Sequence, residues 1–173
     1  RKQGLELAFN PIVASGSNGS MPHHEPSNVK IKNGFCVIDF GVKYRGYCSD
    51  ITRTIYIGNP SKKEKEIYYF LLKIQKSAIN QIENNKKCSE LYNFVSSSLG
   101  KYKNNFIHGL GHGVGVEIHE LPNLTLNSKD RIKNDMVFTI EPGLYFPNRF
   151  GIRIEDTLLF KDKPIVLTKT AKD

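Results

Sequence analysis

The sequence predicts an α+β domain in which an antiparallel strand pair is duplicated about a pseudo-two-fold axis and flanked by helices. Three observations carry that prediction. Strand-like runs occupy both ends of the chain, before residue 58 and from Phe106 onward. A helical pattern occupies the middle, where Ile67, Leu71, Ile74, Ala78 and Ile82 recur at helical spacing. The two strand regions also echo each other. Val37-Ile38-Asp39-Phe40-Gly41 is followed by Asp50-Ile51-Thr52, and Thr139-Ile140-Glu141-Pro142-Gly143 by Glu155-Asp156-Thr157. Each half sets an acid at the end of an apolar strand, a glycine two residues on, and a second acid across a turn.

The elements follow in order. Ile12-Val13-Ala14 is a short strand, and Ser15 to Gly19 a loop. Phe35 to Ile38 reads as a buried strand and Tyr47 to Ile57 as another. A helix is expected over 61–83, opened by a capping box, Ser61-x-x-Glu64, after Pro60. A second helix runs from about Ser89 to Leu99, with Leu91, Val95 and Leu99 on one face and Gly100 as its stop. No linker or low-complexity tract divides the chain, so residues 1–173 are read as one domain.

Composition excludes several classes. With 173 residues, 39% hydrophobic and 24% charged, the chain is neither disordered nor a disulfide miniprotein. Its longest apolar stretch, Ile67 to Leu72, is far below the ~18 residues a spanning helix needs. The opening Arg1-Lys2-Gln3-Gly4 has neither a Met nor an apolar leader, and suggests a fragment or processed chain. Cys36, Cys48 and Cys88 cannot all pair; they read as reduced thiols in a cytoplasmic protein. Two glycosylation sequons, at Asn18 and Asn123, are read as chance. The net charge of +8 gathers on the predicted first helix and its sequel, at Lys62, Lys63, Lys65, Lys73, Lys76, Lys86 and Lys87. No aromatic residues alternate with it as in a single-strand binder, so it reads as a solvated face. Neither nucleic acid nor membrane is expected as a partner.

The paired acids carry the chemistry. With Tyr44-Arg45 at a hairpin tip, Asp39 falls opposite Asp50; with a turn centred on Asn148, Glu141 falls opposite Glu155. Facing like charges destabilise a strand pair, and burying four uncompensated carboxylates is costly. Hard divalent cations resolve both problems. Solvated edge positions are the alternative. Next comes His108-Gly-Leu-Gly-His112-Gly-Val-Gly-Val-Glu-Ile-His119-Glu120, with glycine at every second position from 109 to 115. In a strand those glycines share one bare face. His112 and His119 have opposite strand parity, so the chain must bend or bulge between them to bring both to one site. The pattern is neither a P-loop nor a dinucleotide fingerprint. The remaining histidines, His23 and His24, follow Met21-Pro22 in a loop; His24 is read as a neighbour without a role.

At these residues the chain resembles the pita-bread metallopeptidases, which include Xaa-Pro aminopeptidases, prolidases and methionine aminopeptidases. Asp39, Asp50, His112, Glu141 and Glu155 look like the family's five metal ligands, each within its own signature string. Ser49-Asp50-Ile51-Thr52-Arg53-Thr54 and His108-Gly-Leu-Gly-His112-Gly are similar to the proline-specific branch. The resemblance implies two divalent ions, Mn(II) or Co(II) first with Fe(II) or Zn(II) as alternatives, sharing a bridging water. It implies that Asp39 chelates one ion, that His112 and Glu141 bind the other, and that Asp50 and Glu155 bridge. It also makes Glu141 the proton shuttle, His23 and His119 the substrate and oxyanion contacts, and His108 a supporting group. Arg153 and Thr52, each two residues along a strand from an acid, are expected to orient Glu155 and Asp50 respectively. The implied substrate is a proline-containing peptide or dipeptide, and the implied full-length assembly a homodimer. The family's separate N-terminal domain and opening helices have no counterpart here, Gly34 to Asp39 is one residue shorter than usual, and Asn123 stands where many prolidases carry an Arg. A non-catalytic module on the same fold, binding peptides or nucleic acid, is the competing reading.

Overall fold

The computed structural model describes residues 5–172, so the opening tetrapeptide lies outside the described residues. The first half contains β1 (Glu6–Leu7), β2 (Ile12–Ser15), β3 (Gly34–Phe40), β4 (Val42–Tyr44), β5 (Tyr47–Cys48) and β6 (Ile51–Ile57). Then come α1 (Lys62–Asn80) and α2 (Cys88–Ser98). The second half contains β7 (Gly111–Gly113), β8 (Glu120–Leu124), β9 (Val137–Ile140), β10 (Gly143–Phe146), β11 (Phe150–Arg153), β12 (Asp156–Lys161) and β13 (Lys163–Val166). All pairings are antiparallel, in sheets ordered β1-β4-β5, β2-β3-β6, β10-β11 and β13-β12-β9-β7-β8. No helix among the described residues is long and apolar enough to cross a membrane.

Local chemistry accounts for the helices. The Ser61 Oγ accepts from the Glu64 N–H, and the Glu64 carboxylate accepts from the Ser61 N–H, so the predicted capping box is formed. Ile67, Leu71, Ile74, Ala78 and Ile82 are all buried. α1 packs on β9 and α2 on β8, and their apolar faces join Phe138, Ile140, Leu158 and Phe160 in one core. Burying each such side chain contributes about 1.5–3 kcal/mol. On the β2-β3-β6 sheet Val13, Phe40 and Ile55 remain exposed.

The pseudo-symmetry is visible in the strand breaks. β3-β4 and β5-β6 in one half correspond to β9-β10 and β11-β12 in the other, and each pair is interrupted beside an acid. The expected strand from Tyr47 to Ile57 is therefore two strands, parted at Ser49-Asp50. The first hairpin also turns one residue later than expected. Arg45 and Gly46 form the tip, both with positive φ (+50° and +85°), the geometry of a type I′ turn. Lys43 pairs with Cys48 and Asp39 with Thr52, so Asp39 does not face Asp50. The slip amounts to two residues on the partner strand, which leaves every side chain on its original face. In the second hairpin the register is as expected. Gly143 pairs with Arg153 and Ile140 with Asp156, bracketing Glu141 and Glu155.

Candidate metal centre

Most of the expected site residues line one cavity of about 770 Å3. Asp39, Asp50, His112, Glu141 and Glu155 form part of its wall. His23, His119, His108 and Arg153 line it too. So does His24, which the sequence reading set aside. Asp50, His112 and Glu155 each offer one donor atom, all within 4.8 Å of one another. His112 Nε2 lies 3.5 Å from both Asp50 Oδ2 and Glu141 Oε1.

The glycine-rich segment positions the histidines. Only Gly111 to Gly113 is strand, and a bulge falls between His112 and Gly113. A Cβ on Gly111 would collide with the Thr139 carbonyl, and one on Gly113 with the Leu121 carbonyl. Beyond Gly113 the chain leaves the sheet and returns His119 to the His112 ring, 4.3 Å away edge-to-face. The loop bearing His23 is held differently. Gly19 and Gly151 meet backbone to backbone, too close for a Cβ on Gly151, and the Pro22 carbonyl accepts from an Arg153 guanidinium nitrogen at 3.1 Å.

Protein partners neutralise the acids only in part, Arg153 being paired with Asp39 alone. Asp39 Oδ1 and Glu155 Oε1 are buried without a hydrogen-bond partner. Burial, with Asp39 and Glu141 nearby, pushes Asp50 up to about 8. Burial does the same to Glu141, to about 7, despite the opposing charge of Arg153. Glu155 is raised well above the carboxylate range by burial and by the other three acids. Burial holds His112 at about 4, so its imidazole is neutral at pH 7 and ready to donate a lone pair. Four converging carboxylates, a neutral imidazole and two orphaned buried oxygens fit hard divalent cations.

A buried Arg-Tyr-Thr network braces these acids. Arg153 donates to Asp39 Oδ2 at 2.6 Å, to Thr52 Oγ1 at 3.2 Å and to the Tyr145 hydroxyl at 2.7 Å. His108 Nε2 sits 2.9 Å from the same hydroxyl. Thr52 Oγ1 donates to Glu155 Oε2 at 2.6 Å. Two expectations are corrected here. Arg153 grips Asp39 and reaches Glu155 only through Thr52, and Thr52 holds Glu155 and not Asp50. The reason is topological: β6 lies against the β11-β12 junction, with the Glu155 N–H on the Thr52 carbonyl. For Asp39 and Glu155 the nearest partner therefore comes from the other half. The exchange is reciprocal, since Thr157 Oγ1 donates to the Asp50 carbonyl at 2.6 Å.

Tyr145 and Thr139 were missed by the sequence reading. Thr139 Oγ1 accepts from the His112 N–H at 3.1 Å and lies 3.3 Å from Glu141 Oε1. A signal existed for both, because Thr139, Glu141, Gly143 and Tyr145 share one strand parity. A Cβ on Gly143 would strike the Tyr145 hydroxyl and His108 Nε2, so this glycine makes room for the pair. Asn123 stands opposite His112 in the β7-β8 ladder and lines the cavity.

Converging carboxylates and a neutral imidazole between pseudo-symmetric half-sheets define the class of site, a candidate metal centre. The chain belongs to metallopeptidase family M24, whose family model matches residues 1–162. It is 42% identical to an Xaa-Pro dipeptidase of Pyrococcus furiosus over 96% of this chain and 49% of that protein. It is 41% identical to a putative Xaa-Pro aminopeptidase of Mycoplasma pneumoniae over 92% of this chain and 46% of that protein. The solved structure of an Xaa-Pro dipeptidase from Bacillus anthracis superposes with a TM-score of 0.95 at 41% identity, over 100% of this chain and 50% of that one. The chain thus spans about half the length of the curated relatives it matches, and its fold is the pita-bread architecture that the sequence resembles.

Proposed function

We propose that this chain carries the catalytic centre of a dinuclear metallopeptidase hydrolysing the bond before proline. The carrying observation is the convergence of Asp39, Asp50, His112, Glu141 and Glu155 on one cavity, with two buried carboxylate oxygens left unbonded. These five would hold two divalent ions, Mn(II) or Co(II) first. Such a pair supplies an ionised water near neutral pH and polarises the scissile carbonyl. The protein's own groups do the rest. Glu141 takes the proton of the attacking water and passes it to the leaving amine. His119 donates to the carbonyl oxygen, His23 contacts the peptide, and the Arg153-Tyr145-His108 chain keeps Asp39 in place. The similarity to proteins named Xaa-Pro dipeptidase and Xaa-Pro aminopeptidase supports the proline preference. Three cysteines outside any disulfide support a reducing, cytoplasmic setting, and the full-length protein is proposed to be a homodimer.

Release of proline from an Xaa-Pro substrate tests the reading. Chelator is expected to abolish it and to lower the melting temperature, and Mn(II) or Co(II) to restore both. The pH dependence adds a sign. Asp50 and Glu141 have folded-state pKa values raised to about 8 and about 7 from 3.8 and 4.5. The metal-free fold is therefore favoured while they are protonated and loses that stability as pH rises from about 4 to about 8. Chelated protein should melt lower at pH 8 than at pH 5, whereas metal-loaded protein gains from deprotonated ligands. Equal melting temperatures with and without metal would remove the basis of the proposal.

His23→Ala and His119→Ala should lower turnover while metal content, read by elemental analysis, stays near that of the parent. Loss of metal in either variant would place that histidine among the ligands.

Substrate length turns on whether an arginine is free to clamp the product's carboxylate. Arg149 lies over Phe150, outside the cavity lining, and Arg153 is engaged by Asp39, Thr52 and Tyr145. Asn123 is neutral and lacks the guanidinium fork. We therefore favour N-terminal Xaa-Pro of longer peptides. A strong preference for an Xaa-Pro dipeptide over its C-terminal amide would reverse this choice.

A further inference from the structure

A second cavity, of about 530 Å3, lies among the start of α1, the 3-10 turn at Gly100–Asn105 and the β10-β11 hairpin. It shares no lining residue with the metal centre. Its volume falls within the ~300–1,000 Å3 of small-ligand sites. Lys63, Lys101 and Arg149 stand around it, all exposed. Among the described residues none of the three enters an ion pair. Two lie instead over rings, Lys101 at 5.1 Å from the Tyr102 centroid and Arg149 at 5.5 Å from that of Phe150. The acid on the wall, Glu64, is already engaged. Its Oε1 accepts from the Tyr56 hydroxyl and its Oε2 from the Ser61 N–H, each at 2.9 Å. An aromatic row completes the wall, with Tyr102 and Phe146 centroids 5.9 Å apart and Phe146 and Phe150 4.7 Å apart.

The cavity draws only Lys63 from the basic α1 face, whose lysines Lys62, Lys63, Lys65, Lys73 and Lys76 are exposed as expected. Lys63 lies in the first turn of α1, but the aromatic rings and the other two cations arrive from residues 101–102 and 146–150, which no local pattern in α1 could reveal. We propose that this cavity binds a nucleoside phosphate, the phosphate among Lys63, Lys101 and Arg149 and the base against Tyr102 and Phe150. Three cations outside any described ion pair, around one hollow, match a compact multivalent anion. Tyr102, Phe146 and Phe150 pack against the core on one side and give the cavity an apolar wall beside its cations. Rings accept any base by stacking. The cations ring a single concavity and do not run as a stripe, which favours a mononucleotide over a strand.

Calorimetric titration of the metal-loaded chain with ADP, inorganic phosphate, adenosine and a short oligothymidylate tests this. ADP should bind once per chain, at least tenfold tighter than phosphate or adenosine, and more weakly as salt rises. Lys101→Ala combined with Arg149→Ala should weaken ADP at least tenfold. Tyr102→Leu should weaken ADP and leave phosphate unchanged; circular dichroism checks the fold, and the exposed Lys63→Ala serves if Tyr102→Leu unfolds. Asp50→Asn, which alters the metal centre, should leave ADP binding intact. Loss of ADP binding in Asp50→Asn would put the nucleotide on the metals and overturn the proposal. So would no ADP binding, equal binding of ADP and phosphate, indifference to the double variant, or binding of the oligonucleotide alone.

Discussion

Glu141→Gln is expected to keep metal and substrate and to lose about 10²–10⁴ in kcat, the usual worth of a positioned general acid–base group. Glu141 follows β9 directly and precedes Pro142, so the backbone cannot carry the carboxylate elsewhere. Its Oε1 lies 3.5 Å from His112 Nε2 and 3.3 Å from Thr139 Oγ1. The N–H of Glu141 is anchored on the Leu110 carbonyl at 2.8 Å. Glutamine preserves the shape and one acceptor oxygen but cannot take a proton. Single-turnover rates and metal content, measured on the same preparation, separate the roles. A variant within a few-fold of the parent would transfer the shuttle to His119.

Much of this site was legible because each acid interrupts an apolar run. Asp39, in β3 after Val37-Ile38, and Glu141, directly after β9, are polar where the neighbouring strand residues are mostly buried hydrocarbon. Face, unlike register, survives a miscounted turn. Placing the hairpin tip at Tyr44-Arg45 and not at Arg45-Gly46 exchanged Asp50 for Thr52 opposite Asp39, yet kept all three on one face. The turn chemistry held the correction, since a glycine at the second central position suits the type I′ geometry.

Contacts across the pseudo-two-fold were not legible. Parity within one strand paired Thr52 with Asp50 and Arg153 with Glu155. In the folded chain Thr52 reaches Glu155, and Arg153 reaches Asp39, 114 residues away. No periodicity encodes such a distance; only the packing of β6 against the β11-β12 junction does. Tyr145 was hidden for a related reason. It reads as one apolar residue in Leu144-Tyr145-Phe146, and its hydroxyl acquires meaning only from Arg153 and His108.

Arg153→Met is expected to cost about 3–5 kcal/mol of stability, the range for breaking a buried pair by removing one partner. The side chain of Arg153 is only 4% exposed, and that of Asp39 13%. Burial alone would lower the Arg153 pKa, but Tyr145, Asp39 and Glu141 together raise it, so the guanidinium stays charged. Methionine fills a similar volume yet strands Asp39 Oδ2, and Asp39 Oδ1 already lacks a donor. The Tyr145 hydroxyl and Thr52 Oγ1 lose a donor as well. Arg153→Lys should recover little, because one ammonium cannot span the four partners that the guanidinium serves from its three nitrogens. Urea unfolding with and without Mn(II) measures the loss. Metal should recover only part of it, since a cation on Asp39 Oδ1 leaves the Tyr145 and Thr52 contacts broken. Tyr145→Phe removes one of the four partners and should cost less than Arg153→Met, with metal affinity nearly unchanged. A loss below 1 kcal/mol for Arg153→Met would mean that water replaces the guanidinium, and that the brace on Asp39 is not what keeps the acids converged.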